Sequence, residues 1–180
     1  MYYDHVKHCP ICGYGFTSRD FNEKEKVHKC QNCGFHFYHN MIPTCSVLIP
    51  RKDDPDTVLL TKRNMHPHKG KYDLPGGFFE YGETVEEGAK RELKEELGLD
   101  LELKGIIGVE LNDYKYQQYN YQHTTIYFIA EAIEKPPGIA DKHENSEVRF
   151  FDLDDLESNR GMFAFYGDLR LLEKYMAEGY

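Results

Sequence analysis

The chain has 180 residues and a formal net charge of -9 at pH 7, which sets aside a general nucleic-acid binder, because such proteins carry a basic footprint. With 40% hydrophobic and 29% charged residues it has an ordinary globular composition, and no run approaches the roughly 20 apolar residues of a membrane span. The opening "MYYDHVKHCP" has no apolar core of the signal-peptide kind. A cytoplasmic location, no membrane partner, and one well-formed domain with a small appendage are the expectations.

The appendage comes first. Cys9 and Cys12 stand in "CPICG", Cys30 and Cys33 in "CQNCG", with 17 residues between the pairs. That interval falls in the range of a zinc site, and four thiolates suit a borderline-soft ion that binds tetrahedrally. Gly13 and Gly34 each follow a second cysteine, where the backbone must turn tightly. Residues 1–40 lack apolar periodicity, so bound Zn²⁺ is expected to supply their folding energy. His5, His8, His28, His36 and His39 lie near the cysteines, but the four thiolates leave no ligand for them to replace. "SRDFNEKEKVHK" reads as a charged, exposed hairpin or loop. Cys45, in "TCSVLIP", reads as a small buried hydrophobe.

A boundary near Met41 opens the main domain, residues 41–180. Strands are expected over 44–50 and 57–63, joined across the turn-forming "RKDDPD". "HPHKGKYDLPGG" reads as a loop. Further strands are expected over 101–111, 124–133 and 147–153, with "EKPPGIADKHENS" a punctuated loop. The last element, from Asp168 to about Glu178, places Leu169, Leu172 and Tyr175/Met176 on one helical face. Strands with few, separated helices imply a mixed α/β architecture.

Between these strands lies "GGFFEYGETVEEGAKRELKEELGL", with seven glutamates from Glu80 to Glu96. Thr84 and Glu87 form a capping box, and Gly98 is placed to end the helix in the left-handed conformation with Leu99 beside it. The helix is therefore expected over 85–97. At ~100° per residue, Glu92, Glu95 and Glu96 share one face, and Gly88 leaves open space one turn earlier. Val85, Ala89, Leu93 and Leu97 form an adjoining apolar stripe, while Glu87, Lys90 and Lys94 face solvent. Glu87 with Lys90 or Arg91 is an ordinary surface pairing. Glu92, Glu95 and Glu96 have no comparable lysine on their face, and oxygen-seeking Mg²⁺ or Mn²⁺ would relieve their repulsion. A solvated face without metal is the alternative.

From Gly77 the stretch resembles the Nudix hydrolase signature, with Gly77, Glu83, Arg91, Glu92, Leu93, Glu95, Glu96, Gly98 and Leu99 at its fixed positions. "KGKYDLPGG", with Tyr72 as the aromatic, is similar to the family's approach to that signature. The resemblance spans residues 41–180. It implies an α/β/α sandwich around a mixed sheet, preceded here by the zinc ribbon. It further implies hydrolysis of a nucleoside diphosphate linked to another moiety, with Glu92, Glu95 and Glu96 holding divalent cations on the diphosphate. Arg91 and Glu83 would then form an ion pair that fixes the loop against the helix. Arg63 matches a position where relatives use an arginine on phosphate. Glu144 and Glu147 lie where relatives supply a further acidic group, with Glu147 as a further metal ligand, and loop charges are the alternative. The backbone N–H groups of Gly76 and Gly77 are free to approach substrate.

A cysteine ribbon before such a domain is similar to the NADH pyrophosphatase group. The downstream Ser-Gln-Pro-Trp-Pro-Phe-Pro array of those enzymes has no counterpart in residues 100–125, and the chain has no tryptophan. NAD(H), ADP-ribose and other nucleotide sugars all stand as substrates; capped RNA is not favoured. Tyr114, Tyr116, Tyr119 and Tyr121 either stack on a nucleobase, with Tyr114 as a substrate contact, or pack at a homodimer interface. The alternative reading of the whole is a zinc-ribbon adaptor or regulator whose Nudix domain senses a nucleotide.

Overall fold

The computed structural model describes residues 6–116 and 119–179 and, at 116 and 119–121, the backbone alone. The chain divides into two compact units, Met1–Met41 with Lys115–Tyr121, and Ile42–Tyr114 with Gln122–Tyr180. Among the described residues, no helix is long and apolar enough to cross a membrane.

The first unit contains three short strands, β1 (Phe21–Asn22), β2 (Val27–Lys29) and β3 (His36–Tyr38), paired antiparallel in that order. The charged segment between the cysteine pairs is a hairpin, because β1 and β2 pair Phe21 with His28 and Asn22 with Val27. Asn22 Oδ1 closes its turn by accepting from the N–H groups of Lys24 and Glu25. The hairpin is not wholly exposed, since Asp20, Val27 and His28 are buried.

The second unit carries β4 (Ile42–Leu48), β5 (Pro50–Arg51), β6 (Asp54–Arg63), β7 (Tyr72–Asp73), α1 (Val85–Leu97), β8 (Leu103–Tyr116) as far as Tyr114, β9 (Tyr119–Ala130) from Gln122, β10 (Asn145–Asp152) and α2 (Tyr166–Glu178). One sheet runs β4-β9-β8, with β4 and β9 parallel; the other runs β10-β6-β5, with β7 also on β6, antiparallel throughout. Strand side chains alternate between faces, and the alternation builds two cores. Cys45, Val47, Ile49, Leu59, Phe128 and Ala130 pack with Ala89, Leu93 and Leu97 of α1. Leu48, Val58, Leu60 and Tyr127 pack with Leu169, Leu171, Leu172 and Tyr175 of α2. This is the expected α/β/α sandwich around mixed β structure. Each fully buried leucine contributes about 1.5–3 kcal/mol, so the stripe on α1 holds that helix, and the glutamates beside it, in fixed register.

Helix α1 occupies the expected residues. Thr84 Oγ1 accepts from Glu87 N–H, Glu87 Oε2 accepts from Thr84 N–H, and Gly98 is left-handed at φ 66°. The loop before the helix contains β7, too short to show a period. Strands β8 and β9 pair with one another and reach into the tyrosine-rich segment, to Tyr116 and from Tyr119, further than its apolar pattern indicates.

Candidate active site

The loop from Leu74 to Phe78 lies along β4: Val47 N–H donates to Pro75 C=O at 2.8 Å and Cys45 N–H to Gly77 C=O at 2.9 Å. Gly76 has φ 147°, and a Cβ there would stand 2.3 Å from the Cys45 carbonyl oxygen. A Cβ on Gly77 would stand 2.6 Å from Glu92 Oε1. The two glycines let backbone pass between the edge of β4 and the carboxylates of α1. Gly76 N–H then donates to Glu96 Oε2 at 3.1 Å.

Glu92, Glu95 and Glu96 face one open cavity of about 620 Å³, together with Glu80, Arg91, Asp141 and Glu144. Glu92 and Glu96 are buried and Glu95 is exposed. Burial pushes the Glu92 carboxyl up, although Arg91 opposes it. Burial, followed by the neighbouring Asp73 charge, pushes the Glu96 carboxyl well above the usual range.

No lysine serves this face, but an arginine does. Arg91 Nη1 donates to Glu92 Oε1 and to Glu95 Oε2, each at 2.9 Å. Its Nε and Nη2 grip Glu83 at 3.0 and 2.8 Å, and Nη2 also reaches Phe78 C=O. Arg91 is therefore no surface partner of Glu87, whose carboxylate caps the helix instead. The space beside Gly88 is also filled. A Cβ there would meet the Phe79 ring at 2.4 Å and Glu83 Oε1 at 2.7 Å, so this glycine admits the Glu83 loop against the helix. Arg91 and the Gly76 N–H also hold Glu83 and Glu96 in place; the Glu83 carboxyl is lowered to about 2 chiefly by Arg91.

The donor set fits a hard divalent cation: three carboxylates, two of them desolvated, around one space, with only one oxygen each of Glu92 and Glu95 taken by Arg91. Oxygen-only coordination is what Mg²⁺ requires.

Sharing Gly77, Phe78, Glu96 and Glu144 with this space is a second cavity of about 190 Å³. Phe78, Tyr114, His123 and Phe165 line it, and Arg63 is the one arginine or lysine among its described lining residues. Arg63 is mostly buried rather than a surface arginine. It pairs with Asp73 at 2.7 Å, donates from Nε to Pro67 C=O, and lies 5.2 Å from the centre of the Phe165 ring. Asp73 and Asp168 also line the cavity. Burial, followed by the Asp73 charge, pushes Asp168 up to about 7, while Tyr127 Oη donates to its Oδ1 at 2.8 Å.

Of the expected site residues, the structure gathers Arg91, Glu92, Glu95, Glu96, Gly77, Gly76, Arg63 and Tyr114 in the linings of these adjoining cavities, and Arg91 holds Glu83 beside them. It does not bring Glu147 there. That carboxylate is bonded by Tyr72 and by Lys62 Nζ at 3.3 Å, and lines neither cavity. Glu144 lines both. The side chains of Tyr116, Tyr119 and Tyr121 lie outside the described residues. His123, Phe78, Phe165, Asp73 and Asp168 escape sequence reading, because each stands alone in its segment. Only the parity of His123 with Thr125 and Tyr127 along β9 hints at its burial.

In the N-terminal unit the Sγ atoms of Cys9, Cys12, Cys30 and Cys33 all lie within 4.8 Å of one another. Cys9–Cys33 and Cys12–Cys30 are 3.7 and 3.6 Å apart, close to the edge of about 3.8 Å of a tetrahedron with Zn–S bonds of ~2.3 Å. The pairs form matching knuckles. Gly13 N–H donates to Cys9 C=O at 2.9 Å and Gly34 N–H to Cys30 C=O at 3.0 Å, both glycines at φ 74°. Cys45 is buried in the other unit, its thiol pushed up to about 12 by burial.

Comparison with known proteins accords with this geometry. The NUDIX domain family profile matches residues 43–169. An ADP-ribose pyrophosphatase of Methanocaldococcus jannaschii is 40% identical over 99 residues, 55% of this chain and 56% of that protein. An NAD-capped RNA hydrolase NudC of Pseudomonas aeruginosa is 29% identical over 152 residues, 84% of this chain and 50% of that protein. The chain thus spans about half the length of these curated relatives. Among solved structures, a NUDIX hydrolase from Nitrosomonas europaea is 26% identical with a TM-score of 0.70, covering 97% of this chain and 92% of that one. A MutT NUDIX hydrolase from Burkholderia pseudomallei is 27% identical with a TM-score of 0.62, covering 75% of this chain and 98% of that one. With the full signature set on α1 and its preceding loop, the chain belongs to the NUDIX domain family.

Proposed function

We propose that the chain hydrolyses the diphosphate bond of a nucleoside diphosphate linked to a second moiety, with ADP-ribose and NAD(H) as the leading substrates. One observation carries this: a cavity faced by Glu92, Glu95 and Glu96 adjoins an aromatic-lined cavity, the two sharing Gly77, Phe78, Glu96 and Glu144. A diphosphate at the shared wall leaves its nucleoside beside the aromatic rings. The M. jannaschii relative is named for ADP-ribose and the P. aeruginosa relative for NAD-capped RNA, chemistry of the same class.

Glu92, Glu95 and Glu96 would hold Mg²⁺ or Mn²⁺, which when bound neutralises phosphate charge and acidifies a bound water. Arg91 holds Glu92 and Glu95 in orientation and ties α1 to the Glu83 loop. Arg63, anchored by Asp73, sets a positive charge in the lining of the aromatic cavity. Water attacks one phosphorus as the anhydride P–O bond breaks, and a carboxylate facing the cavity accepts the water's proton. The products are a nucleoside monophosphate and the phosphorylated second moiety. Structural Zn²⁺ on the four cysteines would hold the ribbon together.

The test is a mass-spectrometric screen with Mg²⁺ or Mn²⁺ over NADH, NAD⁺, ADP-ribose, nucleotide sugars, dinucleoside polyphosphates and a capped RNA, with Glu96→Gln alongside. A mononucleotide released by wild type and not by Glu96→Gln is expected. An unchanged rate in Glu96→Gln overturns the ligand assignment. No turnover of any member with metal bound moves the reading to a nucleotide-sensing adaptor.

A further inference from the structure

His123 lies in β9, where Ile42 of β4 is its backbone partner. Alternation along the strand gives His123, Thr125 and Tyr127 the same side. Two of these three are satisfied: Thr125 Oγ1 is bonded by Asn112 Nδ2 and Thr44 Oγ1 at 2.9 Å each, and Tyr127 Oη donates to Asp168. The third is not. His123 is 5% exposed, lines the aromatic cavity, and among the described residues its Nε2 has no hydrogen-bond partner. A buried nitrogen without a partner is uncommon in a folded protein and calls for an explanation.

The surroundings say what kind of partner. The imidazole lies 4.7 Å from the Tyr114 ring, 5.6 Å from Phe78 and 6.4 Å from Phe165, centre to centre. Tyr114 and Phe165 are nearly parallel at 6.2 Å, too close to admit a third ring between them. Phe78 is 43% exposed and lines both cavities, so its face is open to a ring entering from the diphosphate side. Burial, followed by the Arg63 charge, pushes His123 down to about 4, so at neutral pH the ring is uncharged and offers Nε2 as either donor or acceptor. A flat, uncharged heterocycle with polar atoms on its rim fits both features.

We propose that His123 is a specificity-determining residue that hydrogen-bonds through Nε2 to the edge of the substrate's nucleobase while Phe78 stacks on its face. The proposal rests on the hydrolase reading only for the identity of the nucleotide. Binding of AMP tests it without turnover.

Calorimetry on the full, zinc-loaded chain in Mg²⁺ compares AMP with ribose 5-phosphate, which lacks the base. In His123→Phe, which keeps a ring but no nitrogen, AMP binds about tenfold more weakly while ribose 5-phosphate is unaffected. His123→Gln, whose amide nitrogen reaches near the Nε2 position, restores AMP to within about threefold of wild type. In turnover of ADP-ribose the loss falls on KM rather than kcat. Equal AMP affinity in wild type and His123→Phe overturns the proposal, as does an equal loss for ribose 5-phosphate. If wild type binds AMP through His123 yet hydrolyses nothing, this proposal stands and the hydrolase reading falls. If wild type does not bind AMP, this proposal falls, and the turnover screen alone decides the hydrolase reading. Should either variant misfold, the ¹⁵N imidazole signal of His123 in the wild-type chain decides, because it must move on AMP addition and its constancy overturns the proposal.

Discussion

Arg91 grips Glu83 with two nitrogens, Nε to Oε2 at 3.0 Å and Nη2 to Oε1 at 2.8 Å, while its third nitrogen bridges Glu92 and Glu95. One guanidinium thereby sets the position of the loop and the orientation of two proposed metal ligands. A lysine has the charge but not the planar fork. Arg91→Lys is expected to lower kcat/KM by roughly 10- to 100-fold, about 1.4–2.7 kcal/mol of transition-state stabilisation, and to weaken Mn²⁺ binding. Steady-state kinetics and a Mn²⁺ titration check this, and wild-type values in both would refute a positioning role.

Gly76 is irreplaceable for a backbone reason. Its φ of 147° and the Cys45 carbonyl oxygen at 2.3 Å from any added Cβ together force the loop off β4 in Gly76→Ala. A loss of about 3 kcal/mol or more is expected in urea unfolding. Gly82 provides the comparison, with a positive φ of 97° but nothing within 4 Å. Gly82→Ala should cost only about 1–2 kcal/mol. Equal losses would show that strain, not the close approach to β4, governs both sites.

The ribbon should carry one zinc per chain. Cys30→Ser is expected to abolish zinc in elemental analysis and to collapse amide dispersion for the hairpin around β1 and β2. Amides of α1, whose core of Ala89, Leu93 and Leu97 contains none of these cysteines, should keep their exchange protection. Zinc retained at full occupancy in Cys30→Ser would refute the four-thiolate site.

Asp168 gives the fold a pH dependence of definite sign. Its carboxyl is at about 7 when folded, raised by burial and then by Asp73, against 3.8 as its ordinary value. The folded state therefore holds a proton that the unfolded chain releases, and stability falls as pH rises from about 4 through 7. Asp168→Asn keeps an acceptor for Tyr127 Oη and removes the charge. Its Tm is expected to vary less between pH 5 and pH 8 than that of wild type. An undiminished slope would place the titration elsewhere.

Local rules made much of the molecule legible in the sequence. Thr84, Glu87 and Gly98 bounded α1 because caps act through neighbouring backbone groups, and Val85, Ala89, Leu93 and Leu97 declared its buried face through helical period. The paired C-x-x-C-G segments declared the thiolate cluster in the same way. Arg91 was legible as Glu83's partner only through the family resemblance.

Tertiary structure alone decided the rest. Residue spacing placed Arg91 among surface charges, yet it bridges Glu92 and Glu95, because a long side chain goes where the folded loop leaves acceptors. Glu144 faces the cavities while Glu147, three residues on, bonds with Tyr72 and Lys62. His123 and Tyr114, on the paired strands β9 and β8, join Phe78 of the loop before α1 and Phe165 at the start of α2. Helix caps and metal knuckles are set within a few residues of chain, whereas a cavity is the meeting of strands, loop and helix whose side chains carry no trace of one another until they pack.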